Sequence, residues 1–299
     1  MIPALRIRLG SVISEIIREV RIIYGCLFCR ENRLKSFQQD ELHYFHFDTL
    51  PDNGVARHAV FSRRGGVSAA PFDSLNLSMS VPDERERVYA NRRRVYGLFG
   101  RDTDSVVHAH LVHGADVARV TQANNGTWVE HVDGLITDEP GCVLSMNFAD
   151  CTPIFLYDPR RRAIGLGHAG WRGTMVDLPG AMVRAMGQQF GSDPADLVAA
   201  VGPCIGPCCY EVGEEVIDSV EKAFAAPGDL LRETNRNGAK GRTAHFDLPE
   251  ANRVNLTNAG VQAIEMFGIC TACRTDLFFS HRAERGRTGR FGTVFALGE

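Results

Sequence analysis

The sequence predicts an α+β fold, because strand-like and helix-like segments are grouped along the chain and do not alternate regularly. Short apolar or alternating runs bounded by Gly, Pro, Asn or Asp dominate the first half from Val55 onward. Segments with helical periodicity come mostly after them. Because no internal repeat or low-complexity linker breaks this order, we expect one folded domain over residues 49–299.

The individual elements are assigned in chain order. Strands are predicted over residues 56–62, 106–112, 117–121, 135–137, 142–148, 154–157 and 163–167. Helices are predicted over 84–99, 175–190, 214–225 and 248–267, and later strands over 197–202 and 293–297. The first 48 residues differ from the rest. A helix over 11–23 and a polar, charged stretch over 30–41 predict an extension that is partly helical or disordered, or an over-long translation start.

Composition excludes several classes of protein. The 299 residues carry a net charge of −3 and are 44% hydrophobic, which is ample for a core and gives no sign of a protein that binds nucleic acid or a membrane surface. Charged residues interrupt the apolar part of the first 20 residues, so neither a membrane span nor a secretory signal is expected there. Nine cysteines, an odd number, suit a reducing compartment better than a disulfide framework, which predicts a cytoplasmic protein.

Three separated residues form a candidate metal site. Cys151 precedes one strand-like run, His168 follows the next, and His113 ends another upstream. Two imidazoles and a thiolate are ligands that zinc accepts in catalytic sites, where the fourth position is left to water or substrate. The spacing is too long for a zinc finger, and spacing alone leaves open that the histidines are polar or core residues and Cys151 a packing residue.

Other cysteines are also close in sequence. Cys26 and Cys29 form one C-x-x-C pair and Cys270 and Cys273 another, while a Gly-Pro-rich loop over 202–210 holds Cys204, Cys208 and Cys209. A four-thiolate site made of the two C-x-x-C pairs would need them to meet across almost the whole chain. We therefore expect these seven residues to be thiols in loops or packing.

Further side chains are candidates for binding and catalysis, each with an ordinary structural alternative. Arg63 or Arg64, in a glycine-containing turn, could hold a phosphate bidentately or simply lie in a basic turn. The loop 281–290, which contains Arg282, could bind an anion, and Asn76 could bind substrate or shape a turn. Asp150 is a candidate general acid or base, or a strand-end cap. Trp171 and Arg172 could stack on a planar ring and bind an anion, or pack and solvate.

Taken together, these segments resemble the multicopper polyphenol oxidoreductase (laccase-like) family, whose members are described as purine nucleoside phosphorylases. The resemblance covers the chain from about residue 50 to its end. It rests on Phe61-Ser-Arg-Arg-Gly-Gly-Val-Ser68, Ser74-Leu-Asn-Leu77, Val112-His-Gly-Ala-Asp116, Ala149-Asp-Cys-Thr-Pro-Ile154, Gly167-His-Ala-Gly-Trp-Arg-Gly173, Gly202-Pro-Cys-Ile-Gly-Pro-Cys-Cys-Tyr-Glu211, Phe279-Ser-His-Arg282 and Thr288-Gly-Arg290.

The resemblance implies an α/β/β/α layered fold and a zinc ion held by His113, Cys151 and His168. It also implies phosphorolysis of adenosine, inosine or methylthioadenosine, with adenosine deamination as a second activity, in a monomer or weak homodimer. On this reading Asp150, Cys151 and Arg172 are catalytic, and Arg63, Asn76 and Arg282 bind substrate. One position departs from the family pattern: Leu111 stands where relatives usually carry Gln, which puts substrate affinity or preference in doubt but leaves the metal ligands untouched.

Three rival functions stay open. Two histidines and a cysteine also suit copper with Met146 as a weak axial ligand, although a full laccase needs many paired histidines and only His108 and His110 form a His-x-His pair. Cys151 could instead be the nucleophile of a cysteine hydrolase, with a histidine as its base. A metal-binding module without catalytic activity is the third alternative.

Overall fold

The computed structural model describes residues 35–234 and 241–298. In these residues the strands are β1 (Lys35–Gln39), β2 (Leu42–His46), β3 (Ala56–Phe61), β4 (His108–Ala109), β5 (Val117–Arg119), β6 (Trp128–Val129), β7 (Gly134–Thr137), β8 (Val143–Phe148), β9 (Thr152–Asp158), β10 (Ala163–Ala169), β11 (Val198–Val201), β12 (Glu211–Val212), β13 (Leu231–Glu233), β14 (Ala244–Phe246), β15 (Ala263–Met266) and β16 (Phe291–Leu297). The helices are α1 (Arg85–Gly97), α2 (Trp171–Met175), α3 (Leu178–Phe190), α4 (Glu214–Ala223) and α5 (Leu248–Asn258).

Two large sheets form the centre of the fold. The first has five strands in the order β1-β2-β3-β16-β8, all antiparallel. The second has six strands in the order β15-β11-β9-β10-β7-β5, with the β11–β15 and β5–β7 pairs parallel and the central pairs antiparallel. Smaller sheets join β12-β14-β13 and β4-β6. The mixed sheets agree with the predicted α+β class.

The side chains of the sheets define four layers. Phe148 and Phe295 of the five-stranded sheet meet Phe155 and Leu166 of the six-stranded sheet in one buried cluster, so the sheets pack face to face. On the outer face of the six-stranded sheet, Met182 of α3 and other residues of α3 and α5 form a second cluster. Helix α1 covers the outer face of the five-stranded sheet through a third cluster. The expected α/β/β/α arrangement is confirmed.

The N-terminal boundary differs from the prediction. Strands β1 and β2 lie within the expected extension of residues 1–48, yet β2 pairs with β3 in the five-stranded sheet. The part of that segment from Lys35 onward therefore belongs to the domain. The expected helix over 11–23, together with Cys26 and Cys29, lies outside the described residues. No helix in the described part of the chain is long and apolar enough to cross a membrane.

Two predicted helices are divided, and one predicted strand is shorter. The helix expected over 248–267 ends at Asn258, and Gly260, with a φ of +97°, reverses the chain into strand β15. The helix expected over 175–190 divides at Asp177, whose side chain accepts a hydrogen bond from the Gly180 N–H and caps α3. The strand expected over 106–112 is reduced to β4, so His113 lies in a loop and not at a strand end.

Candidate active site and metal centre

The hairpin formed by β9 and β10 places two of the predicted ligands side by side. Cys151 directly precedes β9, and His168 is the penultimate residue of β10. In the antiparallel register Ala169 faces Thr152, so the end of β10 lies beside the start of β9. A thiol before one strand and an imidazole near the end of its neighbour therefore meet at one edge of the six-stranded sheet, as the sequence predicted.

His113 completes the set from a loop. The ligand atoms of His113, Cys151 and His168 all lie within 4.8 Å of one another. In a tetrahedral zinc site with these donors, ligand atoms lie about 3.3 to 3.6 Å apart, so a small inward movement of the side chains suffices. His113 is exposed, Cys151 half-buried and His168 buried, which leaves the group open to solvent on one side. The donor set thus fits a metal ion with one open coordination position.

Asp133 positions both histidines. Its Oδ1 lies 3.0 Å from the Nδ1 of His168, which assigns Nδ1–H as the donor and turns Nε2 toward Cys151. Its Oδ2 accepts hydrogen bonds from the backbone N–H groups of Val112 at 3.0 Å and Gly114 at 2.8 Å, the residues on either side of His113. Burial alone would raise the pKa of Asp133, but the hydrogen bonds from His168, Gly114 and Val112 lower it below its ordinary value.

Electrostatics favour a thiolate in this group. Burial raises the pKa of the Cys151 thiol, but the charge of His168 and hydrogen bonds from His113 and His168 outweigh it and lower the pKa to about 6. For His168, burial lowers the pKa, whereas Cys151 and Asp133 raise it more, to about 9. Both shifts favour the thiolate form of Cys151, and thiolate is the form that binds a metal.

The backbone around the ligands is unusual. His113 and Asp150 both have a left-handed backbone, with φ values of +60° and +82°, which is uncommon for residues other than glycine and often marks a functional site. Gly170 lies against the ligands: a Cβ there would stand 3.0 Å from the Cys151 sulfur and 3.0 Å from the His113 Nδ1. Any side chain at this position would therefore displace the ligands.

A cavity of about 570 Å³ opens beside the three ligands. A pocket of this size is typical of a small-molecule site. The residues that line it include Arg172, Arg282 and Arg290 and the aromatic residues Trp171 and Tyr210. The metal ligands, several cations and flat apolar surfaces therefore share one cavity, a combination that suits an anion together with a planar ring.

Asp150 lies in the wall of this cavity but is firmly held. Its Oδ1 accepts a hydrogen bond from the Thr271 hydroxyl at 2.6 Å, and its Oδ2 accepts one from the Arg282 backbone N–H at 2.6 Å. Burial raises the pKa of Asp150, and the hydrogen bonds from Thr271, Arg282 and Ser280 oppose that rise. The predicted acid or base is thus placed directly beside Cys151, with its carboxylate oriented by hydrogen bonds from Thr271, Arg282 and Ser280.

The three cavity arginines are held differently. Arg172 is largely exposed, lies 4.3 Å from the centre of the Trp171 ring and pairs with Glu215 at 3.3 Å. Arg282 donates to the carbonyl of Glu211 and lies 5.1 Å from the centre of the Tyr210 ring. Arg290 is half-buried, and its guanidinium hydrogen bonds in the described residues go to the carbonyls of Thr288 and Gly289. Its positive charge is thus unopposed by an ion pair there.

Two of the predicted substrate-binding residues lie behind the cavity. The Arg63 guanidinium donates to the carbonyls of Asp73 and Thr275 and pairs with Glu284 at 2.9 Å, so its contacts are within the protein. Asn76 is fully buried, and its Oδ1 accepts hydrogen bonds from the backbone N–H groups of Ser78 and Arg290. Asn76 therefore positions the backbone of Arg290, a residue that lines the cavity.

The role of Asp133 could not be predicted from the sequence. An aspartate before a short apolar run has no local pattern that separates it from an ordinary turn residue. Its place opposite His168 follows from the pairing of Gly134 with Gly167 between β7 and β10. Arg290 lies in a loop with several other arginines, and the composition of that loop does not predict that Arg290 is half-buried.

Comparison with known proteins places the chain in a family. Residues 57–298 match the family model described as multi-copper polyphenol oxidoreductase laccase. Purine nucleoside phosphorylase YlmD of Geobacillus stearothermophilus is 40% identical over 264 residues, which cover 85% of this chain and 94% of that protein. Adenosine deaminase RL5, from an unknown prokaryotic organism, is 35% identical over 242 residues, covering 78% of this chain and 90% of that protein.

A solved structure shows the same fold. The crystal structure of YlmD from Geobacillus stearothermophilus superposes with a TM-score of 0.80 at 38% identity, covering 88% of this chain and 99% of that one. The family model spans the three candidate metal ligands, and these relatives cover 78 to 88% of this chain. The chain belongs to the multi-copper polyphenol oxidoreductase laccase family, which includes proteins named as purine nucleoside phosphorylases.

Proposed function

We propose that this protein is a zinc-dependent purine nucleoside phosphorylase that cleaves adenosine, inosine or methylthioadenosine with phosphate. The observation that carries the proposal is the shared cavity, in which the side chains of His113, Cys151 and His168 lie with three arginines and two aromatic rings. The relatives named as purine nucleoside phosphorylases support the same reaction class.

The reaction explains why such a cavity is needed. In phosphorolysis a phosphate oxygen forms a bond to the anomeric carbon of ribose, and the bond from that carbon to the purine nitrogen breaks. The electron pair of the broken bond leaves with the purine, which takes up a proton. Positive charge develops on the sugar in the transition state, so the protein must hold an anion close to it and help the base to depart.

Phosphate binding is assigned to the arginines. Arg290 is the strongest candidate, because it is half-buried and in the described residues donates only to carbonyls, so that an anion would satisfy its charge. Arg282 and Arg172 lie at the same cavity and would add further donors. The indole of Trp171 and the phenol ring of Tyr210 offer surfaces on which a purine can stack.

Asp150 and the metal complete the proposal. Burial raises the pKa of Asp150, which brings proton exchange closer to neutral pH and suits a group that gives a proton to the departing base. His113, Cys151 and His168 would hold the zinc ion, which supplies Lewis acidity for orienting phosphate or polarising the substrate.

A second activity, adenosine deamination, is favoured by the relative named Adenosine deaminase RL5. Zinc deaminases use histidine and cysteine ligands to hold their metal, and the donor set here is of that kind. We propose deamination as a secondary reaction of the same cavity, because the arginines that suit phosphate have no role in it.

The rivals are less well supported. In the described residues, the groups with suitable metal-ligand geometry are the three-residue set and a separate group of four cysteines. His108 and His110, the only His-x-His pair, stack on Trp128 with ring centres 4.6 and 4.8 Å away, so they serve packing and do not extend a copper cluster. A cysteine hydrolase remains a chemical alternative, because Cys151, His168 and Asp133 form a connected chain of nucleophile, base and carboxylate.

The test is a phosphate-dependent assay on adenosine. We expect adenine and ribose-1-phosphate from the wild-type protein, no cleavage when phosphate is omitted, and loss of both products in His168→Ala. The variant of the exposed His131, His131→Ala, is the matched control and should keep full activity. Inosine as the sole product would place deamination above phosphorolysis.

Metal analysis and chelation separate the rivals. Protein purified without added metal should contain zinc, and removal of that zinc should abolish activity until zinc is restored. Stoichiometric copper with a blue absorption band would instead support an oxidase. Activity that survives chelation but is lost on thiol alkylation would support a cysteine hydrolase.

A further inference from the structure

Four cysteines form a second cluster outside the cavity. The sulfur atoms of Cys208, Cys209, Cys270 and Cys273 all lie within 4.8 Å of one another. The sulfur of Cys273 is 3.5 Å from that of Cys208 and 3.3 Å from that of Cys209, too long for either pair to be a disulfide, whose sulfurs are about 2.05 Å apart. In a zinc site with four thiolates, the sulfurs lie about 3.8 Å apart. The observed spacing is close to that value, although the sequence favoured separate thiols at these positions.

The six-stranded sheet brings the cysteines together. Strands β11 and β15 are parallel neighbours, so the loops that follow them leave the sheet at the same edge. The loop after β11 contains Cys208 and Cys209, and the loop after β15 contains Cys270 and Cys273. The backbones of the two loops are hydrogen-bonded to each other. Cys204 and Cys270 form an isolated parallel β-bridge, and the Thr271 N–H donates to the Cys204 carbonyl at 3.0 Å. The fold therefore holds the pair Cys208 and Cys209 next to the pair Cys270 and Cys273.

The backbone around the sulfurs has the features of a thiolate site. The Gly206 N–H donates to the Cys270 sulfur at 3.2 Å, the kind of hydrogen bond that stabilises sulfur carrying negative charge. A Cβ on Gly206 would stand 3.3 Å from the Cys270 Cβ and 3.5 Å from the Cys208 sulfur, so a side chain there would press on the cluster. After Cys270 the chain turns tightly, since the N–H groups of Cys273 and Arg274 both donate to the Cys270 carbonyl. The turn brings both thiols of this C-x-x-C pair to one side.

We propose that Cys208, Cys209, Cys270 and Cys273 bind a structural zinc ion, separate from the metal of the cavity. Four protein sulfurs fill a tetrahedral coordination sphere, so no position is left for a substrate, in contrast to the three-ligand set. Two of the thiols are buried and two are half-buried, which suits a closed site. Thiolate sulfur selects zinc over calcium, magnesium or manganese. The site needs reduced thiols and so agrees with the predicted cytoplasmic location.

The zinc would fix two loops that shape the active cavity. Ile205, in the first loop, donates its N–H to the backbone carbonyl of Asp150 at 3.0 Å. Thr271, in the second loop, donates its hydroxyl to the Asp150 carboxylate at 2.6 Å. Tyr210 follows Cys209 directly and lies in the cavity wall. The ion would therefore act by positioning these groups and not by contacting the substrate.

Metal content of paired variants tests the proposal. The wild-type chain should contain two zinc ions. Cys270→Ser/Cys273→Ser should keep one, His113→Ala/His168→Ala should keep the other, and the combination should keep none. Cys142→Ala is the matched control, because Cys142 is a buried thiol of the main core outside both groups, and it should keep both ions.

X-ray absorption at the zinc edge gives a readout that does not depend on activity. The zinc left in His113→Ala/His168→Ala should have four sulfur neighbours at about 2.3 Å, and its removal by a chelator should lower the Tm by at least about 5 °C. This variant keeps all four cysteines, so the measurement holds even if the serine variant fails to fold. Absence of metal from it, fewer than four sulfur neighbours, or disulfides among the four cysteines in non-reduced mass spectra would overturn the proposal. None of these results bears on phosphorolysis by the wild-type protein.

Discussion

The carboxylate of Asp133 connects the two histidines of the candidate metal centre. One oxygen lies 3.0 Å from the Nδ1 of His168, and the other accepts N–H bonds from both neighbours of His113. The buried aspartate thus fixes the ring of one ligand and the backbone of another. Groups that orient metal ligands in this way contribute to affinity without binding the ion.

Asp133→Asn should weaken metal binding while the chain still folds. The amide can accept from one partner, but its NH₂ group cannot accept from His168 or from the Val112 and Gly114 N–H groups. We expect an affinity about 10- to 100-fold lower, measured by competition with a chromogenic chelator. Asp138→Asn is the matched control, because Asp138 follows the far end of β7, the strand that Asp133 precedes, and pairs with Arg119. Unchanged affinity in Asp133→Asn would contradict the assigned positioning role.

Gly170→Ala should damage the metal centre through a single methyl group. The backbone φ of Gly170 is −73°, which alanine adopts without strain, so the effect would come from the contacts of the added Cβ with Cys151 and His113. We expect metal affinity to fall at least about 10-fold, with a parallel loss of phosphorolysis. Gly114→Ala, on the other side of the site, would place its Cβ 3.6 Å from the nearest atom and should be tolerated. If Gly170→Ala and Gly114→Ala have the same metal affinity, the close approach of Gly170 to Cys151 and His113 is not critical.

For two of the candidate metal ligands, Cys151 and His168, the sequence could predict a common location, because each lies beside a strand that the local pattern reveals. Their convergence then follows from the hairpin of β9 and β10, whose strands are almost continuous runs of buried residues. Asp133 and Asn76 were harder to assign. Their roles depend on partners 35 and 214 positions away along the chain, and pairings of that kind come from the sheet and not from local sequence.

Two of the strands that the sequence did not predict, β1 and β15, have identifiable physical reasons for being missed. In β1, Phe37 is the only residue that is even half-buried, so this edge strand carries no apolar alternation to detect. In β15, no residue is fully buried, and it was assigned to the preceding helix because its apolar residues continued that spacing. Without strand β15 the cysteine cluster could not be predicted, because the cysteines meet through the parallel pairing of β11 with β15.

Arg290→Met should raise the KM for phosphate more than the KM for adenosine. Loss of a charged donor to a bound anion costs about 1.5 to 3 kcal/mol, which corresponds to roughly a 10- to 100-fold lower kcat/KM for phosphate. Arg287→Met is the matched control, because Arg287 is exposed on the same loop. Steady-state kinetics with each substrate varied in turn give the two constants. A rise confined to adenosine would assign Arg290 to the nucleoside instead.

Two histidines in the core should make the protein sensitive to acid. The ring of His58 accepts the Phe47 N–H at Nε2, 2.8 Å away, and its Nδ1 lies 3.0 Å from the Pro51 carbonyl, so the neutral form satisfies both nitrogens. Burial lowers the pKa of His58 to about 3, helped by the neighbouring His46. Burial also lowers the pKa of His108 to about 3, helped by Arg92. Both side chains are therefore neutral in the folded protein well below pH 6.

The unfolded chain takes up protons at these histidines near pH 6.5, whereas the folded protein does so only near pH 3. Between those values the unfolded state binds more protons, so the free energy of unfolding falls as the pH falls. At pH 5 the loss in the free energy of unfolding is about 2 kcal/mol for each histidine relative to pH 7.5.

In denaturant titrations, His58→Gln should start less stable at pH 7.5 but lose about 2 kcal/mol less than the wild type on acidification to pH 5. Acid effects on the metal centre are common to both proteins and cancel in this difference. The variant of the exposed His131, His131→Gln, should follow the wild-type pH dependence, and an equal acid loss in His58→Gln would show that His58 is not the group responsible.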